Sequence, residues 1–471
     1  MENRRPQTLL ALLTTCFLAL SAIFGAIVAT HLNDHNVRVG LLGGTGGGTV
    51  ALDQGTAPGD DLSGAGGPVT AGTTPARAAG VPVPGVRTGR GTSAQAVNPA
   101  AVGGATTGIT QDTIRLGATI SLSGVVPFPD VEKAVSAWFR HVNDTGGING
   151  RRVEWTAYDD QLDANKGAAN LRRLFEQDHV LAAVGNWSPF GVPKAIPYLE
   201  AHRYPVIMGS TIDESEFRSP MVWNPGTNLE RQVGMECDMQ RRAFPDKRKV
   251  GIIYVDTAVT ITANRYFTQC LQEHGYTDIQ SFEVSLAQPD YTGTVLQLMA
   301  AQRDSIYLLV ENKSQVRLFQ AMDRQQYYPA VNGDLAADDP AVRDYMGRAA
   351  DGMVVMSEFR ARQDTDTSVQ RMKSIVNQYF PGEFDQLTFW SQAAFISAVM
   401  FTDVARQLGP ALNRESLIAA LNALHGYTPL GGLAPPITYG DPNAHSITPG
   451  CYTYWYKRGT TFTAPSPFIC P

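Results

Sequence analysis

Ile114-Arg-Leu-Gly-Ala-Thr-Ile-Ser-Leu-Ser-Gly124 is a short apolar, β-branched run that breaks into small polar residues, the composition of a buried strand ending in a loop. A helical pattern follows over residues 131–142, and the glycine-rich stretch Gly146-Gly-Ile-Asn-Gly150 stops it. A second strand is predicted at residues 152–158, running into the acidic turn at 159–160. Strand, loop, helix and strand in this order indicate the opening of an α/β lobe.

Strand-like and helical stretches alternate through the rest of the chain. Further strands are predicted over residues 181–184, 206–208, 250–255, 279–284, 305–310 and 353–356. Helices are predicted over residues 164–176, 192–200, 262–274, 295–302 and 314–325. This alternation predicts an α/β fold with two doubly wound, mainly parallel sheets. Open sheets of this kind bind ligands beyond the carboxyl ends of their strands, at helix N-termini.

Composition narrows the classes of function. The 471 residues are 43% hydrophobic, which is ample for a large core. The formal net charge is −6, and the basic clusters at 241–242 and 247–249 are short, so the sequence lacks the basic face of a nucleic-acid-binding protein. We therefore expect no nucleic-acid partner.

The N-terminal segment differs from the rest of the chain. Between Arg5 and Asp34 there is no charged residue of the Asp, Glu, Lys or Arg type, and residues 9–29 are almost wholly apolar, about the length of a bilayer-spanning helix. We predict a membrane anchor over residues 1–34, with the preceding arginines in the cytoplasm. A cleavable signal peptide is the alternative, because residues 27–29 could serve as a cleavage site. Either outcome exports the remaining chain.

Residues 35–108 are rich in Gly, Ala, Thr, Pro and Val, and they predict a flexible linker because they cannot bury enough apolar surface to fold. Gly43-Gly-Thr-Gly-Gly-Gly48 is similar to a phosphate loop but lacks the Lys-Ser/Thr ending. His31 and His35 have the spacing of a metal pair, yet no third ligand is near. We therefore predict neither a cofactor nor a metal.

The ordered series of motifs resembles the branched-chain amino-acid-binding proteins of ABC importers, the Leu/Ile/Val-binding class of type I periplasmic binding protein. Beyond the opening stretch, the resemblance is carried by residues 182–185 with Ser188, 204–211, 249–254, 307–310, 333–334, 352–355 and 427–433. It implies two lobes that face each other across a cleft, which closes around a small molecule. The implied lobes are 109–227 with 357–431, and 228–356 with 432–471.

The same resemblance implies a ligand site in that cleft. Loops after two first-lobe strands would hold a carboxylate at helix N-termini through Ser188, Gly209, Ser210 and Thr211. Asp334 of the second lobe, or Glu311 in its place, would accept an ammonium group. The remaining implied contacts are Phe128, Trp187 and Thr260. Helix capping by Ser188 and Thr211, and a solvated turn at Asp334, are the structural alternatives.

Two departures from the family pattern make leucine, isoleucine and valine doubtful ligands. Pro189 removes a backbone donor that many members offer, and Thr257-Ala-Val-Thr260 lacks the aromatic residue of the comparable second-lobe loop. We predict an extracytoplasmic solute receptor that delivers an amino-acid-like ligand or a small carboxylate to an ABC permease. A membrane-anchored sensing module on the same fold is the alternative.

An enzyme is the third class considered. Residues Asp159, Asp160 and Asp163 form the densest carboxylate group, and they fit a solvated strand-to-helix loop better than acid/base chemistry. Neither a Gly-x-Ser-x-Gly elbow nor a His-Glu-x-x-His motif is present in the sequence. We therefore predict a non-catalytic protein.

Cysteine usage fits export to an oxidising compartment. Besides Cys16 there are four cysteines, Cys237, Cys270, Cys451 and Cys470. Four cysteines permit three pairings, and four free thiols are the alternative. We favour Cys237 with Cys270, on two helices that flank the strand at 250–255, and Cys451 with Cys470, which would close a terminal Tyr/Trp-rich hairpin.

Overall fold

The computed structural model describes residues 107–124, 126–208, 213–285, 287–439, 445 and 450–471. The anchor predicted at 1–34 lies outside these residues, as does the linker predicted at 35–108 except for its last two residues. Within the described ranges, no helix is both long enough and apolar enough to cross a bilayer.

The first sheet is parallel throughout its described strands, in the order β2-β1-β3-β4-β5. Its strands are β1 (Thr113–Ile120), β2 (Arg152–Asp159), β3 (Ala182–Asn186), β4 (Val206–Met208) and β5 (Val222–Trp223). All of β3 and β4 is buried, because helices cover both faces of the sheet. This explains why these strands are apolar runs instead of alternating patterns.

The second sheet has the order β12-β11-β10-β9-β8-β6-β7 in the described chain. Its strands are β6 (Lys249–Val255), β7 (Asp278–Val284), β8 (Ser305–Leu309), β9 (Ala330–Gly333), β10 (Val354–Ser357), β11 (Thr453–Arg458) and β12 (Thr461–Phe462). Strands β6 to β10 pair in parallel, whereas β11 and β12 form an antiparallel hairpin at the edge. The terminal hairpin predicted from the Tyr/Trp-rich sequence is therefore present.

Helices connect these strands. They are α1 (Pro129–Asp144), α2 (Ala164–Glu176), α3 (Gly191–His202), α4 (Glu214–Arg218), α5 (Leu229–Ala243), α6 (Ala258–Glu273), α7 (Thr292–Ala300), α8 (Asn312–Arg324), α9 (Pro340–Arg343), α10 (Thr367–Tyr379), α11 (Phe389–Leu408) and α12 (Arg414–Asn422). Short 3₁₀ helices lie at Leu335–Asp338, Arg348–Ala350, Glu383–Gln386, Gly409–Ala411 and Pro429–Gly431. The predicted α/β fold with two parallel sheets is confirmed.

The three carboxylates considered above for acid/base chemistry, Asp159, Asp160 and Asp163, form hydrogen bonds in and around the loop between β2 and α2. Asp163 caps α2, because its side chain accepts hydrogen bonds from the backbone N–H groups of Asn165 and Lys166 at 2.8 Å. Asp160 accepts a hydrogen bond from the Ser121 hydroxyl at 2.7 Å, and Asp159 accepts one from the Leu122 N–H at 3.0 Å. Each of the three carboxylates thus satisfies local donors.

The chain returns to the first sheet after β10. There α11 packs on α1, and the Trp138 indole donates to the Thr402 hydroxyl at 2.9 Å. Ile437 still pairs with Tyr427, and the Tyr439 hydroxyl donates to the backbone of Asn224 at 2.8 Å. The chain therefore stays beside the first sheet beyond residue 431, where the second lobe was predicted to resume. The lobe bounds otherwise stay predictions.

The described residues contain two disulfides, and both have the pairing favoured from the sequence. Cys237–Cys270 joins α5 to α6 on one face of the second sheet. Cys451–Cys470 joins a cysteine two residues before β11 to one that follows β12. The Cys237–Cys270 disulfide thus joins α5 and α6, whose N-terminal turns line a cleft between the two sheets.

Candidate ligand-binding cleft

A cavity of about 580 Å³ lies between the two sheets. Residues from the first-sheet side include Phe128, Trp187 and Trp390, and residues from the second-sheet side include Val233 and Leu309. The cavity lies beyond the carboxyl ends of strands, where α/β sheets bind ligands. Its size and mainly apolar lining are those of a small-molecule site.

Aromatic side chains form the first-sheet wall. Phe128 precedes α1, Trp187 follows β3, and Phe389 and Trp390 begin α11. Trp187 and Trp390 stack with ring centroids 4.2 Å apart, and Phe128 meets Trp187 edge-on at 5.4 Å. The Trp187 indole nitrogen is buried and has no hydrogen-bond partner among the described residues. The wall is therefore apolar, with an uncharged donor in it.

Asp334 lies at the second-sheet end of the cavity, directly after β9. Its side chain accepts hydrogen bonds from the Ala336 N–H at 2.9 Å and the Gln315 side chain at 3.2 Å. Burial and the nearby carboxyl of Glu236 raise the pKa of Asp334 well above its usual range. Asp334 is thus a half-buried acid at the cavity, and it also caps the 3₁₀ helix at Leu335–Asp338.

A buried polar cluster that the sequence analysis did not predict lies beside Asp334. Tyr307 and Gln232 both line the cavity, and both donate to the carboxylate of Glu236. Burial raises the pKa of Glu236 to about 7, although these two hydrogen bonds lower it. The Gln232 carbonyl oxygen has no partner in the described chain. It is therefore a buried acceptor on a residue of the cavity wall.

The predicted carboxylate site of the first lobe differs from the observed arrangement. Ser188 is fully buried and is not among the cavity residues. A Cβ atom on Gly167 would lie 2.6 Å from both the Ser188 Oγ and the Gly191 Cα, so the hydroxyl lies where α2 and α3 approach closely. Gly209, Ser210 and Thr211 lie outside the described residues. Their predicted role stays a prediction.

Glu311 and Thr260 line the cavity, and both side chains also form hydrogen bonds within their own segments. Glu311 caps α8 by accepting from the Ser314 N–H at 2.9 Å, and Arg317 lies 3.5 Å from its carboxylate. The Thr260 hydroxyl donates to the backbone carbonyl of Val255. Both side chains are therefore partly committed to the protein, as is Asp334, although Asp334 differs from Glu311 in having no ion-pair partner among the described residues.

A second cavity of about 720 Å³ adjoins the first and shares Phe128 and Glu311 with it. Lys133, Lys313 and Arg317 line this outer cavity, together with four acidic residues. Lys133 forms an ion pair with one of these, Glu383, at 2.8 Å. Basic residues thus line the outer cavity but not the described part of the inner one.

The chain segment after β10 contacts both sides of the cleft. Every second residue in it, from Glu358 to Arg362, is charged. Both Glu358 carboxylate oxygens accept from Thr227, at 2.7 Å from its N–H and 3.0 Å from its hydroxyl. Arg360 donates to the carbonyl of Gly432 at 2.8 Å. Arg362 forms an ion pair with Asp338, a cavity residue, at 2.9 Å. This segment therefore contacts residues on both sides of the cleft.

We expect the stability of the protein to depend on Glu358 protonation. Burial raises the pKa of Glu358 to about 8, whereas an unfolded Glu has a pKa near about 4.3. Between these values the folded state retains a proton that the unfolded state has lost, so stability falls as pH rises. The free energy of unfolding should fall by about 1–3 kcal/mol from pH 5 to 8.

Urea unfolding at several pH values measures this slope. Glu358→Gln should flatten it, because an amide does not titrate in this range. Glu200→Gln, at an exposed position on α3, is the matched control and should keep the slope of the unmodified protein. The same slope in Glu358→Gln would contradict the assignment.

Comparison with known proteins agrees with this architecture. The family model described as periplasmic binding protein matches residues 113–459. No protein of curated function matches the sequence.

Three solved structures illustrate the likeness of fold. A branched-chain amino-acid-binding protein of Streptococcus pneumoniae in complex with isoleucine is 12% identical, with a TM-score of 0.65, and the match covers 76% of this chain and 100% of that one. A solute-binding protein of R. palustris in complex with benzoate is 12% identical, with a TM-score of 0.64 and coverages of 76% and 98%. A fatty acid ABC transporter substrate-binding protein of Thermomonospora curvata is 16% identical, with a TM-score of 0.65 and coverages of 78% and 94%.

Proposed function

Because the chain belongs to the periplasmic binding protein family, we propose that it is the solute receptor of an ABC importer and captures a small organic ligand in the inter-sheet cleft. The observation that carries this proposal is the cavity of about 580 Å³, which both sheets line with apolar side chains and a few buried polar groups. Cleft closure around the solute would present the closed form to the permease.

The chemistry of the cleft favours a ligand that carries an ammonium group over a simple carboxylate. Asp334 and Gln232 supply acceptors for an ammonium group, and Trp187 with Trp390 supplies an apolar wall. Of the similar structures, one is in complex with isoleucine and one with benzoate, and the third is named a fatty acid transporter substrate-binding protein. This fold therefore accepts apolar ligands of several sizes. The family implies a location outside the cytoplasm. Tethering by residues 1–34, or secretion after their cleavage, is part of the proposal.

A thermal-shift screen of the full-length chain tests the function. A ligand that binds only the folded state raises the melting temperature with concentration, by the equivalent of about 2.7 kcal/mol at a hundred times its Kd. Amino acids, amines and carboxylates are the compounds to screen. If none of them raised the melting temperature, the proposal would lose its support.

Trp390→Ala then tests whether binding occurs in this cleft. Removing the stacked indole should weaken binding by about 2 kcal/mol, or roughly thirtyfold, because aromatic anchors carry much of the energy of such sites. Tyr328→Ala removes a partly exposed aromatic side chain outside the cavity and should leave the affinity unchanged. Equal affinity of both variants, measured by calorimetry, would place the ligand elsewhere.

A further inference from the structure

The charges that line the inner cavity are unbalanced. Five carboxyl residues line it, and among the described residues no Lys, Arg or His does so; the five are Asp213, Glu311, Asp334, Asp338 and Asp339. Asp338 is paired with Arg362 and Glu311 with Arg317. Asp334 and Asp339 form no ion pair with any described residue. A ligand in this cavity therefore meets carboxyl groups with no facing cation among the described residues.

The described part of the first-sheet wall is poorly suited to a carboxylate. Ser188 lies against α2 and α3, and Pro189, which lines the cavity, has no N–H. Beside the aromatic residues, the Thr388 hydroxyl donates to Asp130, and the indole N–H groups of the wall carry no positive charge. An isolated anion loses its hydration on entering such a site and gains no opposite charge, so its burial is unfavourable.

The same wall is well suited to a cation. Trp187, Trp390 and Phe128 present aromatic surface, whose negative potential attracts an ammonium ion. Across the cavity, the unpartnered oxygen of Gln232 belongs to a side chain that is only 7% exposed. It accepts hydrogen bonds but donates none, so an N–H donor satisfies it and a carboxylate does not. Asp334 adds a carboxyl group at the same end of the cavity.

We infer that the cleft selects an organic ammonium ion with a bulky apolar body, and that a free carboxylate on the ligand weakens its binding. This inference rests on the proposed function, since it names the ligand class of the same site. The ammonium group donates to Asp334 and Gln232, and the apolar body packs against Trp187 and Trp390. The cavity volume of about 580 Å³ leaves room for a ring beside the ammonium group.

Three probes with one apolar body separate the possibilities. Phenethylamine has the ammonium group alone, 3-phenylpropanoate has the carboxylate alone, and phenylalanine has both. Calorimetry on the full-length chain should give phenethylamine a Kd at least tenfold below that of 3-phenylpropanoate, and phenylalanine should bind no tighter than phenethylamine. Tighter binding of either carboxylate would overturn the inference and leave the proposed function intact. Binding of none of the three at millimolar concentration would count against both.

The Asp334→Asn variant tests whether the ammonium group of the ligand binds at Asp334. The amide oxygen still accepts from the Ala336 N–H, so the variant keeps the local fold, while the carboxyl group that can ionise beside an ammonium ion is lost. Phenethylamine should bind roughly tenfold to a hundredfold more weakly, as expected for a lost hydrogen bond to a charged group. Asp290→Asn makes the same change on an exposed second-sheet loop and should change nothing. Unaltered phenethylamine affinity in Asp334→Asn would overturn the assignment.

Discussion

Arg362→Met is expected to lower the free energy of unfolding by about 3–5 kcal/mol, because it leaves the Asp338 carboxylate buried without its partner. The Arg362 and Asp338 side chains are 2% and 3% exposed, and the guanidinium lies 2.9 Å from the carboxylate. It also donates to the Asp338 backbone carbonyl at 2.8 Å. Burial lowers the pKa of Arg362 to about 10, so the side chain stays charged at neutral pH. Urea unfolding measures the loss.

Two controls separate the lost pair from a general packing defect. Arg203→Met removes a guanidinium that lies 2.6 Å from Glu415 but is 55% exposed, and it should cost about 1 kcal/mol or less. Adding Asp338→Asn to Arg362→Met removes the unpaired charge and should restore at least half of the lost stability. If the double variant were no more stable than Arg362→Met, the loss would come from packing instead of charge.

Most of the fold could be predicted from the sequence where local signals and tertiary structure agree. The predicted helix at 164–176 matches α2, because Asp163 is a strong cap and the apolar residues have helical spacing. β9 was not predicted, since Ala330-Val-Asn-Gly333 has little strand character and gains its pairing from β8 and β10. α11 was not predicted either, because it is buried on nearly all sides and lacks an amphipathic pattern.

The cleft could be predicted only in part. Phe128, Trp187 and Asp334 line the cavity as the family resemblance implied, because each follows or precedes an element whose end faces the cleft. Ser188 comes one residue after Trp187, and its hydroxyl lies against α2 and α3 instead of in the cavity. The cluster of Gln232, Glu236 and Tyr307 was missed, because its members come from α5 and β8. A signal was present, since Glu236 is an acid on the apolar face of a helix.

The second large effect on stability is expected from removing the disulfide that joins two helices of the cleft wall. Replacing both Cys237 and Cys270 by Ala should lower the free energy of unfolding by about 4 kcal/mol, since the disulfide closes a loop with a sequence separation of 33. The same bond ties α5, which presents Gln232 and Val233 to the cavity, to α6, which presents Ala263. Without it the two helices move more independently, so ligand affinity should fall as well as stability.

The second disulfide of the protein is the matched control for this coupling. Replacing Cys451 and Cys470 opens a loop with a separation of 19, which should cost about 3 kcal/mol by the same estimate. Neither of these cysteines lines the cavity, so this variant should keep the affinity for the ligand that the thermal screen identifies. Calorimetry well below both melting temperatures tests the difference. Since both variants lose stability, only a selective loss of affinity in the Cys237 and Cys270 variant ties that disulfide to binding, and equal affinities would limit its role to stability.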